Sequence, residues 1–384
     1  MQTSHSLKAV AQISDLHAAR GIAAAIVLFH HISLVQTMAY ANRLAIDTVL
    51  NAHAAVIFFF VLSGFVLTGS IARTGVNRTS VKQFLTRRAF RIYPALVAAL
   101  AFALVIWGLG EPFEDGNKTN WYMRYSARFY DLNMGTVELL QNLIPVSFAV
   151  NPPTWSIFVE LLGSFFIPLI FIWFSRGPLF ILLGLMFFLV LSGIFVGKAA
   201  GFHYLNFTIF FALGAVIHFV NPLARMPRLS LCLIAAASGT SLLLCRMLYK
   251  ALVLGEMTPI EVDNADWNMS LLEGGFAMVL IACMAAPQWK QNTLRMPRFL
   301  GDLSYSIYLF HFPVILLAVW LSAEVAWLSS PALLWVGVPV VTLLLATISF
   351  RYLEKPAIRM GHVVSEKIGV GNYANEPTTV TGAT

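Results

Sequence analysis

Charge is what this 384-residue chain has least of: Asp, Glu, Lys and Arg make up 11% of it, against roughly a quarter in a soluble domain. A soluble fold needs a charged exterior, so the composition excludes one. Cysteine is nearly as scarce. Cys232, Cys245 and Cys283 all fall inside apolar runs. On one helix Cys232 and Cys245 would stand about 20 Å apart at ~1.5 Å per residue, too far to pair. The three read as small apolar packing residues, and no disulfide framework is expected. Several motifs are also missing. There is no P-loop, no GxGxxG turn, no HExxH and no Cys/His spacing suited to a metal, so no metal is expected. Ser63 sits in FFFVLSGFVL, outside any GxSxG elbow, and is not read as a nucleophile. The first fifteen residues are polar and no small-residue cleavage site follows, so a removable signal peptide is not expected. No internal repeat and no appended soluble catalytic domain is legible.

Apolar residues fill the sequence instead, at 58% with a mean hydropathy of +0.76. Windows of roughly 17 to 25 apolar residues give ten expected spans. They run over Leu16–Gln36, Val49–Ile71, Tyr93–Leu109, Trp155–Phe174, Leu179–Val196, Phe202–Val220, Leu229–Val253, Ser270–Ala286, Leu300–Leu321 and Pro331–Tyr352. The fold class is thus an all-α integral membrane protein embedded in the lipid bilayer. It divides into an N-terminal segment 1–15, a transmembrane domain 16–356 and a polar tail 357–384, read as disordered after Gly361. The loop Gly110–Pro153 is the longest connection, and its second half is expected to form a surface helix.

A net charge of +7 raises the possibility of nucleic acid, but the distribution argues against it. Arg73, Arg78, Lys82, Arg87, Arg88 and Arg91 lie between the second and third spans. Lys290, Arg295 and Arg298 precede the ninth, and Arg351, Lys355, Arg359 and Lys367 follow the tenth. With Lys8, Arg176, Arg225 and Arg228, seventeen of the 25 Lys and Arg fall on one side. The opposite loops are acidic, with Glu111, Glu114, Asp115, Asp131 and Glu138 in one and Glu256, Glu261, Asp263 and Asp266 in the other. The positive-inside bias then puts both termini in the cytoplasm.

A few polar side chains interrupt the apolar windows. Arg20 and His31 are eleven residues apart in the first span, so they share a helix face about 16 Å apart along the axis at ~1.5 Å per residue. A lone arginine there could simply snorkel, but imidazole is the side chain best placed to accept a proton near neutral pH. His30 points about 100° away from His31. Glu160, in NPPTWSIFVELLG, is the only carboxylate well inside the fourth span. It is expected to be protonated or partnered by His31 or a buried arginine. Thr154 is a candidate helix cap, and Ser156, one turn before Glu160, a candidate hydrogen-bond companion. Arg88 and Arg91 are helix neighbours whose planar forks suit phosphate, though a lipid-facing basic cluster would look much the same. Ser63 and Gly64 read as small residues allowing close approach of a helix or ligand. His311, in GDLSYSIYLFHFPVI, is read as structural.

These segments in order resemble the membrane-bound acyltransferase family 3, bacterial proteins that O-acylate carbohydrates at the cell envelope. The resemblance runs from about Asp15 to Pro356. It rests on Arg20 with His31, FFFVLSGF at Phe58–Phe65, RRAFRIYP at Arg87–Pro94, TWSIFVE at Thr154–Glu160, LSYSIYLFHFP at Leu303–Pro313 and SFRYLEKP at Ser349–Pro356. One departure is Ile57, where many members carry an acid. The resemblance implies ten core helices, an acyl-CoA co-substrate from the cytoplasm and a glycan acceptor reached from outside. It implies roles for Arg20 and His31 in the transfer, for Arg88 and Arg91 near the donor and for Glu160 near the reaction centre. Arg20 is further expected to hold the donor at the inner mouth, and Glu160 to be part of the catalytic set. Ser63, Trp155 and Ser156 are the expected substrate contacts.

The resulting expectation is a multi-pass O-acyltransferase of the bacterial inner membrane, moving an acyl group, acetyl foremost, from acyl-CoA to a sugar hydroxyl of an envelope or exported polysaccharide. His31 would act as general base, with Glu160 orienting it. Two alternatives stay open: transfer to a small exported molecule such as a macrolide or lipo-oligosaccharide signal, and a non-enzymatic transporter of a lipid-linked sugar.

Overall fold

The computed structural model describes residues 14–35, 46, 48–109, 135–144, 146–195, 202–249, 267–289, 298–325 and 330–373. Among them every regular element is a helix. The α-helices are α1 (Ser14–Val35), α2 (Ala52–Thr74), α3 (Arg78–Trp107), α4 (Thr136–Leu143), α5 (Trp155–Phe174), α6 (Pro178–Phe195), α7 (Thr208–Phe219), α8 (Arg228–Tyr249), α9 (Trp267–Met284), α10 (Arg298–Glu324), α11 (Pro331–Ser349) and α12 (Lys355–Tyr373). Short 3₁₀ turns at Pro152–Thr154 and Phe202–Phe207 lead into α5 and α7, and a π-helical turn at Phe350–Glu354 joins α11 to α12.

Eight of the described helical segments are long and apolar enough to cross a membrane, and α6 and α7 are shorter apolar helices. The chain is an all-α integral membrane protein. The outer face of α6 carries exposed Leu179, Leu182, Met186, Phe187 and Val190, a surface suited to lipid tails and not to water. The ten expected apolar windows correspond in order to α1, α2, α3 and α5–α11, although their extensions into Gln36, Val196 and 250–253 lie outside the described residues. The acidic loops lie outside them too, except for Glu138 in the short helix α4, as do Lys8, Lys290 and Arg295.

Two boundaries differ from the sequence reading. The third helix starts at Arg78, fifteen residues before Tyr93, because Asn77 and Ser80 form a capping box there. Its basic first half is therefore continuous with its apolar second half. The tail does not become disordered at Gly361: α12 continues to Tyr373 and docks along α3. Gly361 makes this possible, since a Cβ there would lie 2.7 Å from Phe90 Cβ. Arg87 Nη1 donates to Ser365 Oγ beside it, at 3.3 Å. Residues beyond Tyr373 lie outside the description.

The helices α2 and α10 form the interior. α2 packs on α1, α5, α7 and α9, and α10 on α1, α3 and α11. Parallel α1 and α10 approach closely at Gly21, whose Cβ would meet Leu300 Cβ at 2.8 Å. Where α2 crosses α7, each helix presents a glycine to the other's backbone. A Cβ on Gly64 would lie 2.7 Å from Phe211 Cα, and one on Gly214 2.6 Å from Phe65 N. Without a hydrophobic driving force between helices in lipid, such backbone proximity supplies the packing that holds them together. At the N-terminal end of α2 a buried polar cluster ties α2, α8 and α9. Glu273 accepts from Asn51 Nδ2 at 3.1 Å, pairs with His53 and lies 3.5 Å from Arg246 Nε.

Replacing Gly214 by Ala should separate α2 from α7 and cost about 1–3 kcal/mol. Gly239, with nothing within 4 Å of a Cβ, is the control, and Gly239→Ala should be neutral or stabilising. Thermal denaturation of the detergent-purified variants, followed by size-exclusion recovery, checks the contrast. Equal melting of the two variants would contradict the packing argument.

Candidate functional site

Six helices, α1, α2, α3, α5, α10 and α12, enclose a cavity of about 500 Å³. Each contributes for a local reason. On α2 the residues Phe59, Ser63, Val66 and Ser70 recur at helical spacing and make a stripe along the cavity, with Arg73 at its end. On α3 the residues Phe84, Arg87, Arg88 and Arg91 do the same. Arg20 and His17 come from α1, Ser156, Ile157 and Glu160 from α5, and Ser304, Tyr305 and Tyr308 from α10. The unexpected helix α12 adds Ile358 and His362. Arg73 and His362 are exposed, so the basic end is the mouth, and Val56, Phe60 and Tyr308 form the inner end.

The charge balance is lopsided. Five guanidinium groups, of Arg20, Arg73, Arg87, Arg88 and Arg91, line the cavity with a single carboxylate, Glu160. Arg88 Nη2 donates to Glu160 Oε1 at 2.5 Å and its Nε donates to Ser164 Oγ at 3.1 Å. Ser164 in turn donates to the Glu160 carbonyl at 2.7 Å. Arg88 is thus fixed and neutralised. Arg20 and Arg91 have no hydrogen-bond or ion-pair partner among the described residues. A second carboxylate, Glu354, lies behind the wall. It is 1% exposed, bonded to Ser306, and within electrostatic reach of Arg91 and Arg20. The π turn at Phe350–Glu354 aims it inward, a role for SFRYLEKP that composition does not reveal.

The structure brings Arg20, Arg88, Arg91, Glu160, Ser63 and Ser156 onto one cavity wall. His31 and Trp155 do not line it. Trp155 packs among Phe60, Tyr204 and Phe207, with ring centroids 5.1–6.0 Å apart. His31 lies beyond the inner end. Its Nδ1 donates to the Val27 carbonyl at 2.8 Å, and its ring centroid is 4.9 Å from that of His311. The ring of His311 is 5.6 Å from Tyr308, which is 6.2 Å from Phe59. Tyr308 is therefore the wall between the arginine-lined cavity and the imidazoles. It is pinned by its hydroxyl, 2.8 Å from Ser156 Oγ and 3.1 Å from the Pro153 carbonyl, to which it donates.

Of the partners expected for Glu160, the structure has the buried arginine, Arg88, so the expectation that Glu160 orients His31 is corrected: α3 presents a guanidinium at its level while His31 lies behind Tyr308. Two more local expectations are corrected. Ser156 bonds to the Pro153 carbonyl and to Tyr308, leaving Ser164, one turn after Glu160, as its serine companion. Thr154 stands in the N-cap position of α5 but does not cap with its side chain, which donates to the Asn151 carbonyl at 2.7 Å within the 3₁₀ turn. The residues that sequence reasoning missed are His17, Ser304, Tyr305, Tyr308, Ile358 and His362. For Tyr308 the SYSIYLFH spacing held a signal, since it falls one turn before His311. Among the described residues no three His, Cys, Asp or Glu side chains gather as a metal site.

Comparison with known proteins adds a second line. The profile of a family described as an acyltransferase domain matches residues 13–351. A peptidoglycan O-acetyltransferase of Listeria monocytogenes is 25% identical over 94% of this chain and 58% of its own. A Bacillus subtilis protein provisionally named a peptidoglycan O-acetyltransferase is 26% identical over 80% of this chain and 50% of its own. A Haemophilus influenzae protein of unassigned function is 34% identical over 36% of this chain and 59% of its own. The chain thus spans between half and three fifths of the length of the curated relatives it matches. No solved structure matches it.

The Arg88–Glu160 pair should show a coupling of about 1–3 kcal/mol in a double-mutant cycle of Arg88→Ala and Glu160→Ala. Either single variant leaves a charge unpaired in the wall, so the double variant should lose less stability than the sum of the two single losses. Strict additivity would mean that the contact contributes nothing.

Proposed function

The chain belongs to the membrane-bound acyltransferase family 3, and from that premise we propose that it is an O-acetyltransferase. In this reading it moves an acetyl group from acetyl-CoA to a sugar hydroxyl of an envelope glycan, across the cytoplasmic membrane of a bacterium. The observation that carries the donor assignment is the mouth and wall of the cavity, where five arginines face one carboxylate. Planar forks bind phosphate oxygens in pairs, and in a low-dielectric cleft their summed field attracts a polyanion. Arg20 and Arg91 hold the phosphates, having no partner of their own among the described residues. Arg88, fixed by Glu160 and Ser164, keeps the wall in register. By the positive-inside bias the basic excess at this end supports a cytoplasmic mouth, where acyl-CoA is available.

Past the arginines the lining turns to Phe59, Phe60, Leu62 and Ile157 with Ser63 and Ser156, a surface that suits an extended, mostly apolar arm and excludes water. The bound donor supplies an activated thioester carbonyl. His31 is the general base. Its Nδ1–H is committed to the Val27 carbonyl, so Nε2 holds the lone pair that takes the acceptor hydroxyl proton. General-base help of this kind is worth about 10²–10⁴-fold. Because Tyr308 stands between cavity and His31, the acyl arm has to pass the Tyr308–Phe59 contact, while the glycan approaches His31 from the opposite end. The names of the Listeria and Bacillus relatives support a cell-wall glycan as acceptor.

Purified protein given radiolabelled acetyl-CoA and envelope glycan should place alkali-labile label on the glycan. Arg91→Ala should raise the acetyl-CoA KM about 10–100-fold, as loss of a charged hydrogen bond implies, with kcat little changed. His31→Ala should abolish transfer while yield and donor binding persist. Unlabelled glycan with wild-type protein, or full transfer by His31→Ala, would overturn the assignment.

A further inference from the structure

We propose that His311 is the proton-sharing partner of His31, so that two imidazoles, and not one, handle the acceptor proton. The proposal rests on the reading of His31 as base and deepens it. His311 is 0% exposed, and its Nδ1 donates to the Tyr308 carbonyl at 2.6 Å. Its Nε2 is buried without any hydrogen-bond partner. An unsatisfied ring nitrogen in a packed membrane core is costly, so its persistence calls for a function or a transient partner. Four residues back on its own helix lies Ile307, and toward α1 lies His31, with ring centroids 4.9 Å apart and planes tilted by 56°. The two rings are direct neighbours with no hydrogen bond between them in this state, which leaves the His311 lone pair free to accept one when His31 is protonated.

The two rings are locked in the same way. Each commits its Nδ1–H to a backbone carbonyl, Val27 for His31 and Tyr308 for His311, which fixes both as the tautomer with an Nε2 lone pair. Neither neutral ring can donate to the other through Nε2. Once His31 Nε2 takes a proton it becomes a donor, and the lone pair of His311 becomes its acceptor. The step balances without a further reagent. The acceptor O–H bond breaks, its oxygen bonds to the acyl carbon, the carbon–sulfur bond breaks, and the proton held by the pair passes to the departing thiolate. The neighbouring titratable groups are His30 on α1, edge-on to His31 at 5.7 Å, and Tyr308 on α10. The other rings around the pair are apolar: Phe312 against His31, and Phe102 of α3 against Phe310 beside it. His311 acts through His31 and lies outside the cavity lining, so donor binding should not depend on it.

The test is a steady-state pH–rate profile of His311→Gln beside wild type, His31→Ala and the double variant, with acetyl-CoA and envelope glycan. Gln fills the space and can still donate to the Tyr308 carbonyl, but takes no proton. The expected result is a kcat about 10–100-fold lower, an acetyl-CoA KM within about twofold, a displaced acid limb, and a double variant no slower than His31→Ala. His311→Asn serves should the Gln variant fail to give a monodisperse protein. Wild-type kcat and profile in His311→Gln, beside an inactive His31→Ala, overturn this proposal alone. A slowed variant with an unmoved profile, or losses that multiply in the double variant, reduce His311 to packing and overturn it too. Activity in His31→Ala overturns the base assignment and this proposal with it.

Discussion

A guanidinium inside a membrane protein must find a counter-charge or keep a route to water. The contact between Arg88 on α3 and Glu160 on α5 meets that demand at one point, and the cavity depends on it. It joins two helices that otherwise touch little, and it consumes the one carboxylate on the wall. Arg20 and Arg91 are left without a protein counter-ion in contact, with Glu354 sensed only through the wall. The result is a cleft with a strong positive field and two uncommitted forks, which a neutral ligand would not need and a phosphorylated one would complete.

The second constraint is separation. Arg20 and His31 belong to one helix, yet the ring of Tyr308 divides their surroundings. Tyr308 is held at its hydroxyl by the chain entering α5 and flanked by Phe59 on one side and His311 on the other. A wall here separates the cavity mouth from the imidazoles, and in the proposed reaction it would shield the donor from water until an acceptor is in place. The same proposal requires movement of side chains on α2 or α10. The glycines that bring α2 onto α7 and α1 onto α10 pack the surrounding helices closely around this point.

Much of this was legible in the chain itself, for a simple reason. A charge in an apolar window stands out, so Arg20, Arg88, Arg91 and Glu160 could be named from sequence, and the structure gathers all four. Tyr305 could not, because a tyrosine on an apolar helix has no distinguishing pattern until its hydroxyl partner is seen, and Tyr308 offered only its spacing to His311. The pairing of Glu160 was open because His31 and several arginines lie at workable depths along their helices, and helical rise says nothing about which side chain stands between. The helix α12 was hidden by its polar, glycine-containing composition. Propensity disfavours it, and docking against Phe90 and Arg87 of α3 overrides propensity. The start of α3 at Arg78 was equally hidden, since hydropathy marks the membrane and not the helix.

The central claim is that the arginine-lined cavity receives a phosphorylated acyl donor whose acyl end points at Tyr308. Cross-linking with an acyl-CoA analogue that carries a photoreactive group at the acyl terminus, followed by peptide mapping, tests it most directly. Adducts on Phe59, Ser156 or Tyr308 that disappear with excess CoA are the result expected here. Adducts confined to the lipid-facing surface of α6, or to the polar cluster of Asn51, His53 and Glu273, would contradict it.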